Sequence, residues 1–141
     1  MENLYRFIEA QQKFYSIALE EIRHGRKQSH WIWYIFPQLK GLGHSFNSNY
    51  YGISGKEEAM LYLNHPILGY RLREITQALL DLPTELTARK VLGPIDALKL
   101  KSSMTLFYIV SKEDIFFRVL NRFYDGNQDN KTINILNQET T

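Results

Sequence analysis

The sequence predicts an all-α fold: a compact single-domain bundle of about six to seven helices over residues 1–141, with a long Gly/aromatic loop after the first helix. Three observations carry that expectation. Apolar residues recur at spacings of three and four, the period of one helix face. Cap and stop residues bracket those runs at helix-length intervals. No Asn-Gly turn joins two alternating apolar runs, so no hairpin is announced.

The elements follow in order. The first helix runs from Phe7 to Ile22 with Phe7, Ala10, Phe14, Ala18 and Ile22 as its stripe, and Gly25 stops it. Trp31–Phe36 is apolar throughout, so its period cannot separate strand from buried helix. With no partner strand in view, we read it as a short helix capped by Ser29. Ser54-Gly55-Lys56-Glu57 has the form of a capping box. It opens a helix carrying Ala59, Met60, Tyr62 and Leu63 and ending near Asn64-His65. Pro66 suits the first position of the next helix, where a missing N–H costs nothing. Ile67, Leu68, Leu72, Ile75, Leu79 and Leu82 form that helix's stripe, up to Pro83. Thr87 to Leu92 is a short helix closed by Gly93, and Pro94 to about Val110 forms one or two more. Ser111-Lys112-Glu113-Asp114 resembles another cap, opening a helix with Ile115, Phe116, Val119, Leu120 and Phe123 that ends at Gly126. Asp129 caps a last helix carrying Ile133 and Leu136.

Composition narrows the chemistry. With no cysteine among 141 residues, disulfides, Cys-ligated zinc, iron–sulfur clusters and thiol nucleophiles are excluded. The segment Met1 to Arg6 lacks the basic-then-apolar pattern of a leader. Apolar runs such as Trp31–Phe36 fall far short of the roughly 20 residues of a membrane span. The expected location is cytoplasmic, with no membrane contact and no cofactor.

Net charge is +2, but it is unevenly placed. Between Ile22 and Lys56 there is no Asp or Glu, while Arg23, Arg26, Lys27, Lys40 and Lys56 give +5 and leave −3 elsewhere. The same stretch holds His24, His30, His44, both tryptophans and five of the eight glycines. An anionic partner is expected there.

Two polar clusters stand out. In Lys27 to Ser45, Trp31 or Trp33 can stack on a planar ring, and Gly41 and Gly43 let backbone approach a phosphate. Lys27 can neutralise charge, His30 can move protons near neutral pH, Gln38 can read an amide or base edge, and Ser45 adds a hydroxyl. The competing reading is packing: the aromatic residues anchor a core and the glycines permit a turn. Gly41-Leu42-Gly43 is too short for a dinucleotide fingerprint. In the second cluster, Asp96, Lys99 and Ser103 share a helix face. Lys99 and Ser103 could form a Ser–Lys dyad tuned by Asp96, or merely an ion pair beside capping hydroxyls. Asp125-x-Asn127-x-Asp129 starts like a calcium loop, but Asn130 replaces the turn glycine and Leu136 the bidentate glutamate. The histidines lack ligand spacing, so no metal is assigned. His65, before Pro66, leads into a helix.

The run Lys27, His30-Trp31, Trp33, Phe36-Pro37-Gln38, Gly41-Leu42-Gly43 and Ser45 closely resembles a mostly bacterial family of small proteins of unknown function, whose members often carry the label calpastatin. The likeness continues through Tyr51, Glu58-Ala59, Tyr62-Leu63, His65-Pro66, Leu68-Gly69 and Arg71-Leu72. It resumes at Gly93, Asp96, Lys99 and Ser102 to Phe107, and ends with Gly126, Asp129 and Thr132. Ile32 stands where the family pattern has Met. The resemblance implies a compact all-helical fold and no established reaction, and it places Lys27, Gln38 and Asp96 within a motif.

The function expected from these residues is binding of a phosphate-bearing, ring-containing small molecule, nucleotide-like or NAD- or ADP-ribose-like. Lys27, Trp31, Trp33, Gln38, Gly41, Gly43, Ser45 and Ser103 would hold it. If a bond is broken, by hydrolysis or group transfer, His30, Asp96 and Lys99 are the candidates. A non-catalytic protein-interaction or oligomerisation module is the rival reading. Nucleic-acid binding ranks last, because five cations over this stretch make a thin footprint.

Overall fold

The periodic runs become nine helices among residues 4–139, the part of this computed structural model that is described. They are α1 (Tyr5–Arg23), α2 (Ile32–Ile35), α3 (Phe46–Tyr50), α4 (Lys56–Asn64), α5 (Leu68–Leu80), α6 (Ala88–Leu92), α7 (Pro94–Ser111), α8 (Asp114–Tyr124) and α9 (Asn130–Gln138). The described residues hold no strand, only an isolated parallel bridge between Leu39 and Ile53. The all-α class stands. The count exceeds six to seven partly because the loop after α1 winds into α3, where Ser45 caps the helix by accepting from the Ser48 amide. Met1 to Asn3, read above for a leader, lie outside the described residues. No described helix is long and apolar enough to cross a membrane.

α7 is the central element. It packs on α2, α4, α6, α8 and α9, and residues 102–107 are buried without interruption. That middle stretch, buried on all sides, needs no amphipathic stripe. A chain of rings crosses the core from α1 to α8. Phe7 meets Tyr62 edge-on at 5.1 Å, Tyr62 meets Phe107 at 5.5 Å, and Phe107 meets Phe116 at 5.8 Å. Such pairs each add about 0.5–1.5 kcal/mol beyond the area they bury.

Several local expectations are corrected. The buried face of α1 is Phe7, Gln11, Tyr15, Ala18 and Ile22, while Phe14 is 38% exposed. Gln11 and Tyr15 belong on it because each has a hydrogen-bond partner on another helix. The Gln11 amide donates to the Tyr34 carbonyl at 2.7 Å and to the Tyr62 hydroxyl at 3.0 Å. The Tyr15 hydroxyl donates to Glu74 Oε1 at 2.5 Å. α2 is preceded by Trp31 rather than capped by Ser29, whose hydroxyl bonds Glu21 instead. The capping box before α4 does not close through Glu57. Gly55 holds the cap position, the Ser54 amide donates to Glu58 Oε1 at 2.8 Å, and the Lys56 amide donates to the distant Glu139 carboxylate at 2.9 Å.

α5 starts at Leu68, so Pro66 and Ile67 form the turn before it and Ile67 is left exposed. His65 takes over the capping: its Nδ1 accepts from the amides of Ile67 at 3.1 Å and Leu68 at 3.2 Å. α8 is preceded by Glu113, with no side-chain cap. The expected stops are present. Gly25 (φ +77°) bonds its amide to the Ile22 carbonyl and ends α1, and Gly93 (φ +87°) turns the chain between α6 and α7. Asp129 caps α9 by accepting from the Thr132 amide at 3.0 Å.

Candidate functional site

The segment after α1 is fastened by one carboxylate. Glu21 Oε1 accepts from the amides of Gln28 (2.8 Å) and Ser29 (3.0 Å) and from the Trp31 indole (2.9 Å). Its Oε2 accepts from the Ser29 hydroxyl at 2.6 Å. Burial opposes its ionisation, yet the Ser29 hydroxyl, the two amides and the indole outweigh that and hold the carboxyl at about 2. The folded value lies below the usual one, so this contribution to stability is complete above about pH 5 and is lost as pH falls toward 2. Glu21→Gln should therefore lose less stability than the native chain between about pH 5 and pH 3 in urea unfolding. Equal losses would refute the arrangement.

Lys27 then meets the α6–α7 junction. Its amide donates to the Val91 carbonyl at 2.7 Å, which seats it beside the start of α7. Its Nζ lies 2.9 Å from Asp96 Oδ2 with both side chains largely covered, and Lys99 Nζ lies 3.9 Å from Asp96 Oδ1. Lys27 Nζ sits 5.0 Å from the Trp31 ring centroid, and Lys99 Nζ 4.9 Å from that of Trp33. Two ammonium groups thus share one carboxylate in the first turn of an 18-residue helix, where the backbone dipole adds positive potential. Pro94 has no N–H, and the Ile95 and Asp96 amides have no intrahelical acceptor. A shallow cleft of about 380 Å³ opens here, lined by Lys27, His30, Trp33, Gly93, Ile95 and Asp96 among others.

The sequence therefore brought together some of the right residues. Lys27, His30, Trp33 and Asp96 line one cleft, and Lys99 adjoins it through Asp96 and Trp33. Others are elsewhere. Trp31 is fully buried and has no face for a ligand. Ser103 is also fully buried, so the Ser–Lys dyad is withdrawn: Lys99 is directed to Asp96 and Trp33. Gln38 borders a separate hollow of about 10 Å³ beside Trp33, Ser48 and Gly52, room for no more than a water. Gly41, Gly43 and Ser45 do not line the cleft. Gly41 (φ +103°) turns an exposed loop, a Cβ on Gly43 would strike the Ser48 hydroxyl at 2.6 Å, and Ser45 caps α3.

Glu21 was missed by sequence reasoning. It lies on α1 outside the motif, and an acid among helix surface residues gives no local sign of a partner ten residues on. The end of the loop is held by another unforeseen group. The buried Arg6 donates to the carbonyls of Tyr50 (2.7 Å) and Gly52 (3.0 Å) and forms a two-pronged pair with Glu58 at 3.1 and 3.2 Å.

A family model described as a protein of unknown function, DUF1810, matches residues 1–136. The chain belongs to that family. A conserved hypothetical protein, Rv1873 from Mycobacterium tuberculosis, has a solved crystal structure similar to this chain: 43% identity, covering 95% of this chain and 96% of that one, with a TM-score of 0.93. None of the curated proteins matches this chain. The resemblance drawn from the tryptophan motif is borne out as membership of a family of unknown function, and the all-helical fold is shared with the Mycobacterium tuberculosis protein.

Proposed function

We propose that this DUF1810 protein binds a small anionic molecule with a planar ring, of the nucleotide or ADP-ribose class, at the start of α7. One observation carries the reading. Among the described residues, two buried side-chain polar atoms lack a partner, Trp33 Nε1 and the core hydroxyl of Ser103; Trp33 is the one at the site, with Lys99 Nζ 4.9 Å from its ring centroid. An unpaired buried polar group costs about 1–3 kcal/mol and calls for an explanation. A site kept for a ligand is one.

Around Trp33 the charge balance favours an anion. Lys27 and Lys99 outnumber Asp96, and the first-turn amides of α7 point the same way. Trp33, half-buried, offers a ring edge or face, and His30 stands exposed at the cleft. Binding is the reading; both Asp96 oxygens face ammonium groups, which leaves Asp96 poorly placed as a general base. The thermal test is direct. AMP, ADP-ribose and NAD are offered to the native chain and to Lys99→Met. A ligand at 100 times its Kd adds about 2.7 kcal/mol of stability. We expect at least one to stabilise the native chain and to bind about tenfold more weakly to Lys99→Met. Absence of stabilisation by all three would reject the reading.

A second reading rests on Ile95 and Leu98, 70% and 66% exposed, an apolar pair one turn apart beside the cleft. It makes the same end of α7 a protein-interaction surface. Concentration-dependent association that Leu98→Lys abolishes would support it over the first.

A further inference from the structure

A larger hollow lies away from the tryptophan cleft, on a different run of elements. It is an open hollow of about 720 Å³ between the end of α1, the α4–α5 corner and the start of α8. That volume falls within the range of small-molecule sites, about 300–1,000 Å³. Its lining includes the buried apolar residues Leu63, Ala78 and Leu82. Polar groups rim that floor, and most already have partners.

Arg73 is held in a bidentate pair with Glu113 at 2.7 Å on each prong and also donates to the Leu63 carbonyl at 3.1 Å. Glu74 accepts from the Tyr15 hydroxyl at 2.5 Å and the Tyr70 hydroxyl at 3.4 Å. Asp81 Oδ1 accepts from the Gln77 amide at 2.9 Å. Two donors have no such partner. The Arg23 side chain makes no ion pair or hydrogen bond among the described residues, though it lines the cavity with five donors. His65 accepts two backbone N–H groups at Nδ1, which fixes the proton of the neutral ring on Nε2. Nε2–H is therefore a donor on the cavity wall, oriented by the α5 cap.

An apolar floor beside one unanswered guanidinium and one fixed N–H matches a particular ligand chemistry. We infer that this cavity is a second binding site, for a small carboxylate with an apolar or aromatic body. The carboxylate pairs with Arg23 and takes the His65 Nε2–H bond, while the body lies on Leu63, Ala78 and Leu82. Planar guanidinium favours a carboxylate through paired N–H···O bonds. The site is independent of the anion site at α7, since the two share no lining residue.

The test uses 4-phenylbutyrate, its neutral amide and the corresponding amine, titrated into the ¹⁵N-labelled full chain and followed by amide shifts. The carboxylate should perturb the Asn64, Leu68 and Ala78 amides and bind at least tenfold more tightly than the amide. Arg23 is exposed, so Arg23→Gln should fold normally; it should reduce the carboxylate to the affinity of the amide and leave the amide unchanged. His65→Asn, which keeps an acceptor for the cap but loses the Nε2–H donor, should weaken the carboxylate several-fold. The inference is overturned if the carboxylate leaves those amides unshifted, if the amine binds more tightly, or if Arg23→Gln binds the carboxylate as the native chain does.

Discussion

Replacing Glu58 with alanine is expected to cost about 3–5 kcal/mol of stability, as breaking one partner of a buried ion pair does. Arg6 and Glu58 have side chains 8% and 3% exposed, so solvent cannot answer the guanidinium that remains. Glu58 also accepts the Ser54 amide ahead of α4, and Arg6 also holds the Tyr50 and Gly52 carbonyls. The pair joins α1, the end of the tryptophan loop and α4 in one network. Urea unfolding at neutral pH measures the loss. The double variant Arg6→Met/Glu58→Leu should recover much of it, because the penalty is a buried guanidinium deprived of its carboxylate rather than the lost attraction. A loss below about 1 kcal/mol for Glu58→Ala would place the pair among solvent-screened surface bridges and refute the account.

Trp31→Ala should cost a similar amount, about 3–5 kcal/mol, by carving a cavity in the core. Trp31 is fully buried, with the Phe36 ring at 6.3 Å and Lys27 across its own ring. Truncation also removes the indole donor from Glu21. Trp31→Phe keeps most of the volume and should fall well short of that loss. If Trp31 is a packing residue, Trp31→Phe binds any anionic ligand of the α7 cleft as the native chain does. A Trp31→Phe protein of native stability that loses ligand would return Trp31 to a stacking role.

Much of the fold was legible because helix signals are local. Gly25, Gly93 and Asp129 act within four residues of themselves, and their neighbours in sequence are their partners in space. The buried face of α1 was not legible from apolar letters. Gln11 and Tyr15 are polar, and only Tyr34, Tyr62 and Glu74, brought in from other helices, make their burial affordable. The two tryptophans show the same limit. Trp31 and Trp33 stand two positions apart at a helix start, so the turn sends them to opposite sides. Nothing in their type says which faces the core.

The helical class, the absence of thiol chemistry and an acid-free aromatic segment carrying +5 follow from the residues alone. The sequence also drew attention to Lys27, His30, Trp33, Asp96 and Lys99. Tertiary structure decided that Asp96 lies between the two lysines, that Trp31 and Ser103 belong to the core, and that Glu21, from outside the segment, fastens it. The physical reason is range. Caps and periodicity are set by residues within a turn or two, whereas a charge finds its counter-ion only after the chain has closed loops that no local pattern encodes.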